Sequence, residues 1–269
     1  MGAANAASDH PRSPANLIAR TVWLEISRRE EYFALLILMG LYLVFAIGAR
    51  LVGNTQPEAV ALMLNMGLWF SATLSALLTL VTSVRLIPAE IEARTLYPLL
   101  AKPVTRGEVV LGKFLAVSSA GCLCLLVFTA LTSLTWAAEF PMPGQDMLLF
   151  AQAFILQAAA LALLGSLAML LSLLAPKAPA MLVAGFLYFA GTSALNVLRS
   201  AVGSSSLASG IDWTLNYIPH FSKLCLFQRF TDGASALPWS DFGALLLHAL
   251  LTTFLLLTLA ARAFERRVI

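Results

Sequence analysis

Charge is what this sequence has least of. Only 12% of its 269 residues are Asp, Glu, Lys or Arg, against about 25% in an ordinary soluble domain. With 59% hydrophobic residues and a mean hydropathy of +0.84, the composition is that of an integral membrane protein. No stretch outside the apolar runs is long enough to build a core of its own, which predicts a single membrane domain over 16–269. Cysteine is scarce too: Cys122 and Cys124 lie inside an apolar run and Cys225 stands alone in a loop, so they form no disulfide framework. The amino-terminal MGAANAASDHPRSPAN lacks the basic-then-apolar pattern of a cleaved signal peptide, and Asn5 and Ala6 miss the Ser or Thr of a myristoylation signal. Residues 1–15 read as a disordered lead. No repeat of about 20 to 50 residues is visible, which leaves a solenoid or an inverted-repeat carrier without support.

What is there, in quantity, is apolar length. Six runs each approach the roughly 20 residues needed to cross the hydrocarbon core: 33–52, 59–84, 114–138, 147–176, 178–198 and 242–261. Membrane strands are about half as long and alternate, so the expected fold class is an all-α membrane protein of six transmembrane helices. Ahead of the first run, Ile18, Val22 and Ile26 recur every four residues with Ala19 and Trp23 beside them, whereas Leu17 and Leu24 fall off the stripe. The pattern predicts an interfacial amphipathic helix over 16–32; the plainer alternative is a charged extension of the first span.

Orientation follows from Lys and Arg. Arg12, Arg20, Arg28, Arg29, Arg85, Arg94, Lys102, Arg106, Lys113, Lys177, Arg262, Arg266 and Arg267 fall on one side of such a bundle, and Arg50, Arg199, Lys223 and Arg229 on the other, thirteen against four. The positive-inside rule then puts both termini in the cytoplasm. The long outer segment 199–241 carries Trp213, Tyr217, Phe221, Leu224, Phe227 and Phe230. These are too apolar for a solvated loop and predict short re-entrant or interfacial helices between the fifth and sixth spans.

The charge that does exist is concentrated. Between Arg85 and Lys113 lie Arg85, Arg94, Lys102, Arg106, Lys113, Glu90, Glu92 and Glu108, eight charges between two uncharged runs. Pro88 suits the first turn of a new helix, which predicts a short helix over 89–97 lying across the membrane plane, with Pro98 and Pro103 breaking the chain after it. Thr105-Arg106-Gly107-Glu108 has the Thr-x-x-Glu spacing of a capping box, so the third helix is expected to start at Thr105. The Glu108 carboxylate also complements the positive end of that helix.

These residues carry a family resemblance. Glu90 and Glu92, Thr95-Leu96, Leu99-Leu100, Pro103-Val104, Arg106, Glu108 and Gly112-Lys113 resemble the acidic pair, "TL..LL", "P-V-x-R-x-E" and "G-K" of the permease subunits of type-2 ATP-binding-cassette (ABC-2) transporters; Arg94 stands where members often carry Gly. The order of spans and the outer Tyr217-Ile218-Pro219-His220-Phe221 segment are similar too. The resemblance implies that Glu90 to Leu100 includes a coupling helix docking into a separate ATPase subunit. Glu90, Glu92, Arg94, Thr95, Leu96, Pro103, Arg106, Glu108 and Lys113 would then carry ATPase coupling. It further implies a second permease copy or paralogue, surrounding membrane lipid, no nucleic acid, and a place in the bacterial cytoplasmic membrane, where many relatives export. Gly107 to Phe114 keeps the Gly, Gly and Lys of a Walker A loop but lacks the following Ser or Thr and leads into an apolar run. ATP and magnesium are therefore expected in the partner chain, with no cofactor, metal or catalytic residue in this one.

Polar residues inside the spans have a sharp reading and a plain one. Asn65, Gln157 and His248 could line a substrate path, an ionisable group within a span being costly. Asn65, Gln152 and Gln157 serve equally as interhelical hydrogen-bonding groups, the reading favoured here, and a neutral histidine bonded to a neighbouring helix is the simpler account of His248. Ser71, Thr73, Ser75, Thr79, Thr82 and Ser83 mark the second span as facing protein or a cavity rather than lipid, and Gly165 reads as a close-packing point. Two other functions compete. Glu90-x-Glu92-x-Arg94 faintly resembles the Glu-Glu-x-x-x-Arg of a prenyl-protein-type intramembrane protease, but the spacing is wrong, and His220 and His248 form no i, i+4 metal pair. A non-catalytic anchor or scaffold for a partner complex would use the same charged loop without transport.

Overall fold

The computed structural model describes residues 30–51, 57–92, 105–136, 144–194, 221–227, 229 and 235–266. Regular structure among them is helical throughout. Helices α1 (Glu30–Leu51), α2 (Pro57–Glu92), α3 (Arg106–Trp136), α4 (Gly144–Leu174) and α5 (Lys177–Phe189) are followed by a π-helical stretch, Ala190–Ala194. A short α6 (Phe221–Leu224) and a long α7 (Trp239–Arg266) complete the order. Each of the six apolar runs thus has a helix over most of its described residues. Four stretches, Leu62–Ala89, Arg106–Thr135, Met147–Leu174 and Trp239–Arg266, are long and apolar enough to cross a membrane. The chain is a multi-pass membrane protein.

The centre of the bundle is α2, which packs against α1, α3, α4 and α5. Its apolar stretch is 72% buried inside the protein, against 17% for that of α7. The cause lies in its hydroxyls. Ser71, Ser75, Thr79 and Thr82 each donate to the carbonyl four residues back, at 2.6 to 2.8 Å, which satisfies the polar atoms within the helix and keeps its surface small. Neighbouring helices then approach closely. Gly121 of α3 faces the Thr79 hydroxyl, and a Cβ at Gly165 of α4 would stand 3.4 Å from Thr79 Cγ2 and 3.5 Å from Ser83 Oγ. Across to α3, the Ser71 and Thr132 hydroxyls lie 3.4 Å apart. The hydroxyl-rich span faces protein, as its composition predicts, and Gly165 is a packing point.

Polar side chains tie the other end of the bundle. Gln152 of α4 takes both backbone groups of Leu237: its amide donates to the carbonyl at 3.0 Å and its oxygen accepts from the N–H at 2.9 Å. The segment entering α7 is thereby fixed to α4. Gln157 is fully buried and donates to the Tyr188 hydroxyl at 2.9 Å. Both glutamines join separate elements, the role favoured for them.

Part of the segment 199–241 enters the core. Phe221, Leu224 and Phe227 are at most 2% exposed. Phe221 stacks edge-on against Tyr188 with ring centroids 5.1 Å apart, and Phe227 lies 6.3 Å from Phe150. The π-helical stretch makes the seat: a Cβ at Gly191 would meet the Phe221 ring at 3.3 Å.

One expectation about local structure changes. Helix α2 does not restart at Pro88 but runs through it to Glu92. The proline ring excludes one hydrogen bond, to the carbonyl of Val84, and membrane helices tolerate that loss where neighbouring groups pack around it; Val84, Leu86 and Ile87 are all buried here. The remainder of the expected 89–97 helix lies outside the described residues. So do the lead 1–15, most of the amphipathic stretch 16–32, and Trp213, Tyr217 and Phe230 of the outer segment.

Candidate functional site

The charged segment takes in the end of α2 and the start of α3, with residues 93–104 between them outside the described residues. The start of α3 is fixed by the predicted capping box. Thr105 N–H donates to the Glu108 carboxylate at 2.8 Å, and Glu108 N–H donates to the Thr105 hydroxyl at 3.3 Å. The Thr105 hydroxyl also reaches the same carboxylate oxygen at 2.9 Å. Two amides otherwise orphaned at a helix start are satisfied reciprocally, so the loop enters α3 at a defined point.

Arg106, the next residue, is turned towards the far end of the chain. Its guanidinium donates to the carbonyls of Glu265 at 3.1 Å and Phe264 at 3.5 Å, and stands 6.0 Å over the Phe264 ring. Those carbonyls belong to the last turn of α7, where a helix has no internal donors left and its dipole favours a cation. The charged segment is thus joined to the last helix.

Lys113 makes a second tie, inside the bundle. It is only 1% exposed, and its ammonium donates to the Leu86 carbonyl at 3.3 Å. A buried lysine is costly unless its protons find acceptors; here α2 supplies one just before Pro88. Around this bond lies a distinct apolar cluster formed by Ile87, Val110, Phe114, Met169, Leu173, Ala260 and Phe264. It draws on α2, α3, α4 and α7 together. Four helices therefore meet where Lys113 and Leu86 are joined.

The other expected residues are placed as follows. Glu90 and Glu92 occupy the last turn of α2, and their side chains lie outside the described residues, as do Arg94, Thr95, Leu96 and Pro103 altogether. Arg106, Glu108 and Lys113 gather at the start of α3. Asn65, Gln157 and His248 do not share an environment: Asn65 is half-buried on α2, Gln157 is sealed in the core, and His248 sits on the exposed side of α7. Sequence reasoning missed the acceptors at Leu86, Phe264 and Glu265, backbone groups that carry no residue signature. Phe264, an aromatic residue in the last turn of α7, was the one visible hint.

A family model described as ABC-2 family transporter protein matches residues 32–268. The chain belongs to this family. No curated protein matches it. As an ABC-2 permease it is a membrane subunit of an ABC transporter, and association with an ABC ATPase is a general property of that class. The matched range takes in the whole charged segment and all of α2, α3, α4 and α7.

Proposed function

We propose that this chain is the permease half of an ATP-driven exporter, worked from the cytoplasmic side by a separate ATPase subunit that presses on the segment between α2 and α3. The observation that carries the reading is the double tie at the start of α3, Arg106 to the end of α7 and Lys113 to the end of α2. A force applied to the charged segment would reach two membrane-crossing helices directly and α4 through their shared apolar cluster. Glu90, Glu92, Arg94, Thr95 and Leu96 form the docking surface, Pro103 fixes the exit of the loop, and Glu108 its entry into α3. Arg106 and Lys113 act as positioning residues behind that surface.

In this reading α1 and α5 also span, giving six crossings with both termini in the cytoplasm. The 22 residues of α1 reach about 33 Å at 1.5 Å per residue. The 13 residues of α5 continue into the π-helical stretch, both within the apolar run 178–198 apart from Lys177. Phe221 to Phe227 belong to a re-entrant element at the outer face. The working assembly is two permeases, identical or paralogous, with two ATPase subunits holding ATP and magnesium, in a bacterial cytoplasmic membrane.

The test is affinity purification of the chain in mild detergent, identification of what accompanies it, and an ATPase assay, repeated with Glu92→Arg. Recovery of an ABC ATPase that the charge reversal releases or uncouples supports the reading. A chain that purifies alone, without ATPase activity and indifferent to the reversal, refutes it. An intact assembly with no ATP-dependent movement identifies an anchor instead.

A further inference from the structure

A cleft of about 500 Å³ between the ends of α4 and α7 is lined by Leu170, Leu173 and Leu174 on one side and Leu259, Arg262 and Arg266 on the other. That volume lies within the range of small-ligand sites, about 300–1,000 Å³. Its two ends differ chemically. Arg262 and Arg266 are one helical turn apart, hence on one face of α7, and both are exposed. Among the described residues neither guanidinium has a carboxylate partner; Glu265, between them in sequence, is itself exposed. Below them the wall is leucine, with Leu174 64% and Leu259 41% exposed, on two helices that are both long and apolar enough to cross a membrane.

We infer that this cleft binds an anionic phospholipid, its phosphate held by Arg262 and Arg266 and the upper part of one acyl chain lying against Leu170, Leu174 and Leu259. Two arginines on one face match a phosphate with paired N–H donors. A basic pocket between membrane helices on the cytoplasmic side is suited to an anionic headgroup. A free phosphate would use the arginines but gain nothing from the leucine wall. The assignment to the cytoplasmic leaflet rests on the orientation proposed above; binding itself does not.

The purified complex is placed in nanodiscs of phosphatidylcholine containing phosphatidylglycerol in both leaflets, released, and examined by native mass spectrometry for lipid retained per chain. The wild type is expected to retain phosphatidylglycerol in preference to phosphatidylcholine. Each of Arg262→Gln and Arg266→Gln should lower that retention about fivefold, and the two together about thirtyfold. The double Arg→Lys variant should fall between. Arg229→Gln, an exposed cation of the outer segment, should change nothing. Equal retention by the double Gln variant, or no preference between the two lipids, overturns the assignment. Full displacement by millimolar inorganic phosphate would identify a soluble-anion site instead. Loss of all bound lipid from the wild type would show that a protein surface fills the cleft. Co-purification of the ATPase is scored on the same samples, so failure of the transporter reading registers separately from failure of the lipid site.

Discussion

Arg106 and Phe264 stand 158 positions apart in sequence, and the guanidinium of the first lies 6.0 Å over the ring of the second while donating to its carbonyl at 3.5 Å and to that of Glu265 at 3.1 Å. One side chain thus closes the last turn of α7 and fixes the start of α3. A hydrogen bond from a charged donor contributes about 1.5–3 kcal/mol when buried. Arg106 is only half-buried, which reduces its contribution to about 1 kcal/mol.

Arg106→Ala should therefore lower thermal stability only modestly yet depress transport per ATP hydrolysed in the purified complex. Arg106→Lys keeps the charge but loses the planar fork and the stacking surface, so it should recover stability more fully than coupling. Unchanged transport per ATP in both variants would show that the link only closes the helix.

Lys113 separates charge from shape. Lys113→Met keeps a long apolar stem in the buried site and removes the donor to Leu86, with an expected cost of about 1–2 kcal/mol. Lys113→Glu puts an unpaired acid among Ile87, Val110 and Phe114 and should cost about 3–5 kcal/mol, enough to abolish a monodisperse peak in detergent. Size-exclusion chromatography of the two variants decides the matter; similar profiles would place the ammonium outside the core.

The contact between α2 and α3 at Thr79 and Gly121 makes a sharper test. A Cβ at Gly121 collides with the Thr79 hydroxyl but stands 3.6 Å from Thr79 Cβ, an ordinary contact. Gly121→Ala alone should destabilise by about 1–3 kcal/mol through overpacking. Adding Thr79→Ala removes the colliding hydroxyl, so the double variant should be more stable than Gly121→Ala. Thermal unfolding of all four proteins measures the coupling, and simple additivity would show that the two helices do not meet here.

The features read correctly from sequence are those written in local spacing. Long stretches without charge marked where the helices lie, Thr105-x-x-Glu108 announced a bond of 2.8 Å, and the run of hydroxyls from Ser71 to Ser83 told which span faces protein. Pro88 misled because its local preference to begin a helix was overridden by packing around Val84, Leu86 and Ile87. The ties of Arg106 and Lys113 were not legible, since their acceptors are carbonyls that every residue owns and folding alone brings them near. Asn65, Gln157 and His248 looked alike as polar residues within spans. Burial separates them, and burial is a property of the assembled bundle.

Gln152 offers the cleanest loss. Its amide makes two bonds to one residue, accepting from Leu237 N–H at 2.9 Å and donating to Leu237 C=O at 3.0 Å, so it substitutes for a backbone pairing where the chain turns into α7. Gln152→Leu preserves volume but strands a donor and an acceptor that are partly buried; at about 1–3 kcal/mol for each unsatisfied group, the expected cost is about 2–6 kcal/mol. Gln152→Glu is more informative. Its carboxylate can still accept from the Leu237 N–H, but its second oxygen then faces the Leu237 carbonyl without a proton. That oxygen becomes a donor only when protonated, so stability of this variant should rise as the pH falls through the carboxyl pKa, whereas wild-type stability should not follow the same titration. Thermal unfolding across acidic pH measures the difference. A Gln152→Glu curve parallel to the wild type would mean that Leu237 is not held by this side chain, and the link between α4 and α7 would have to be sought at their opposite ends.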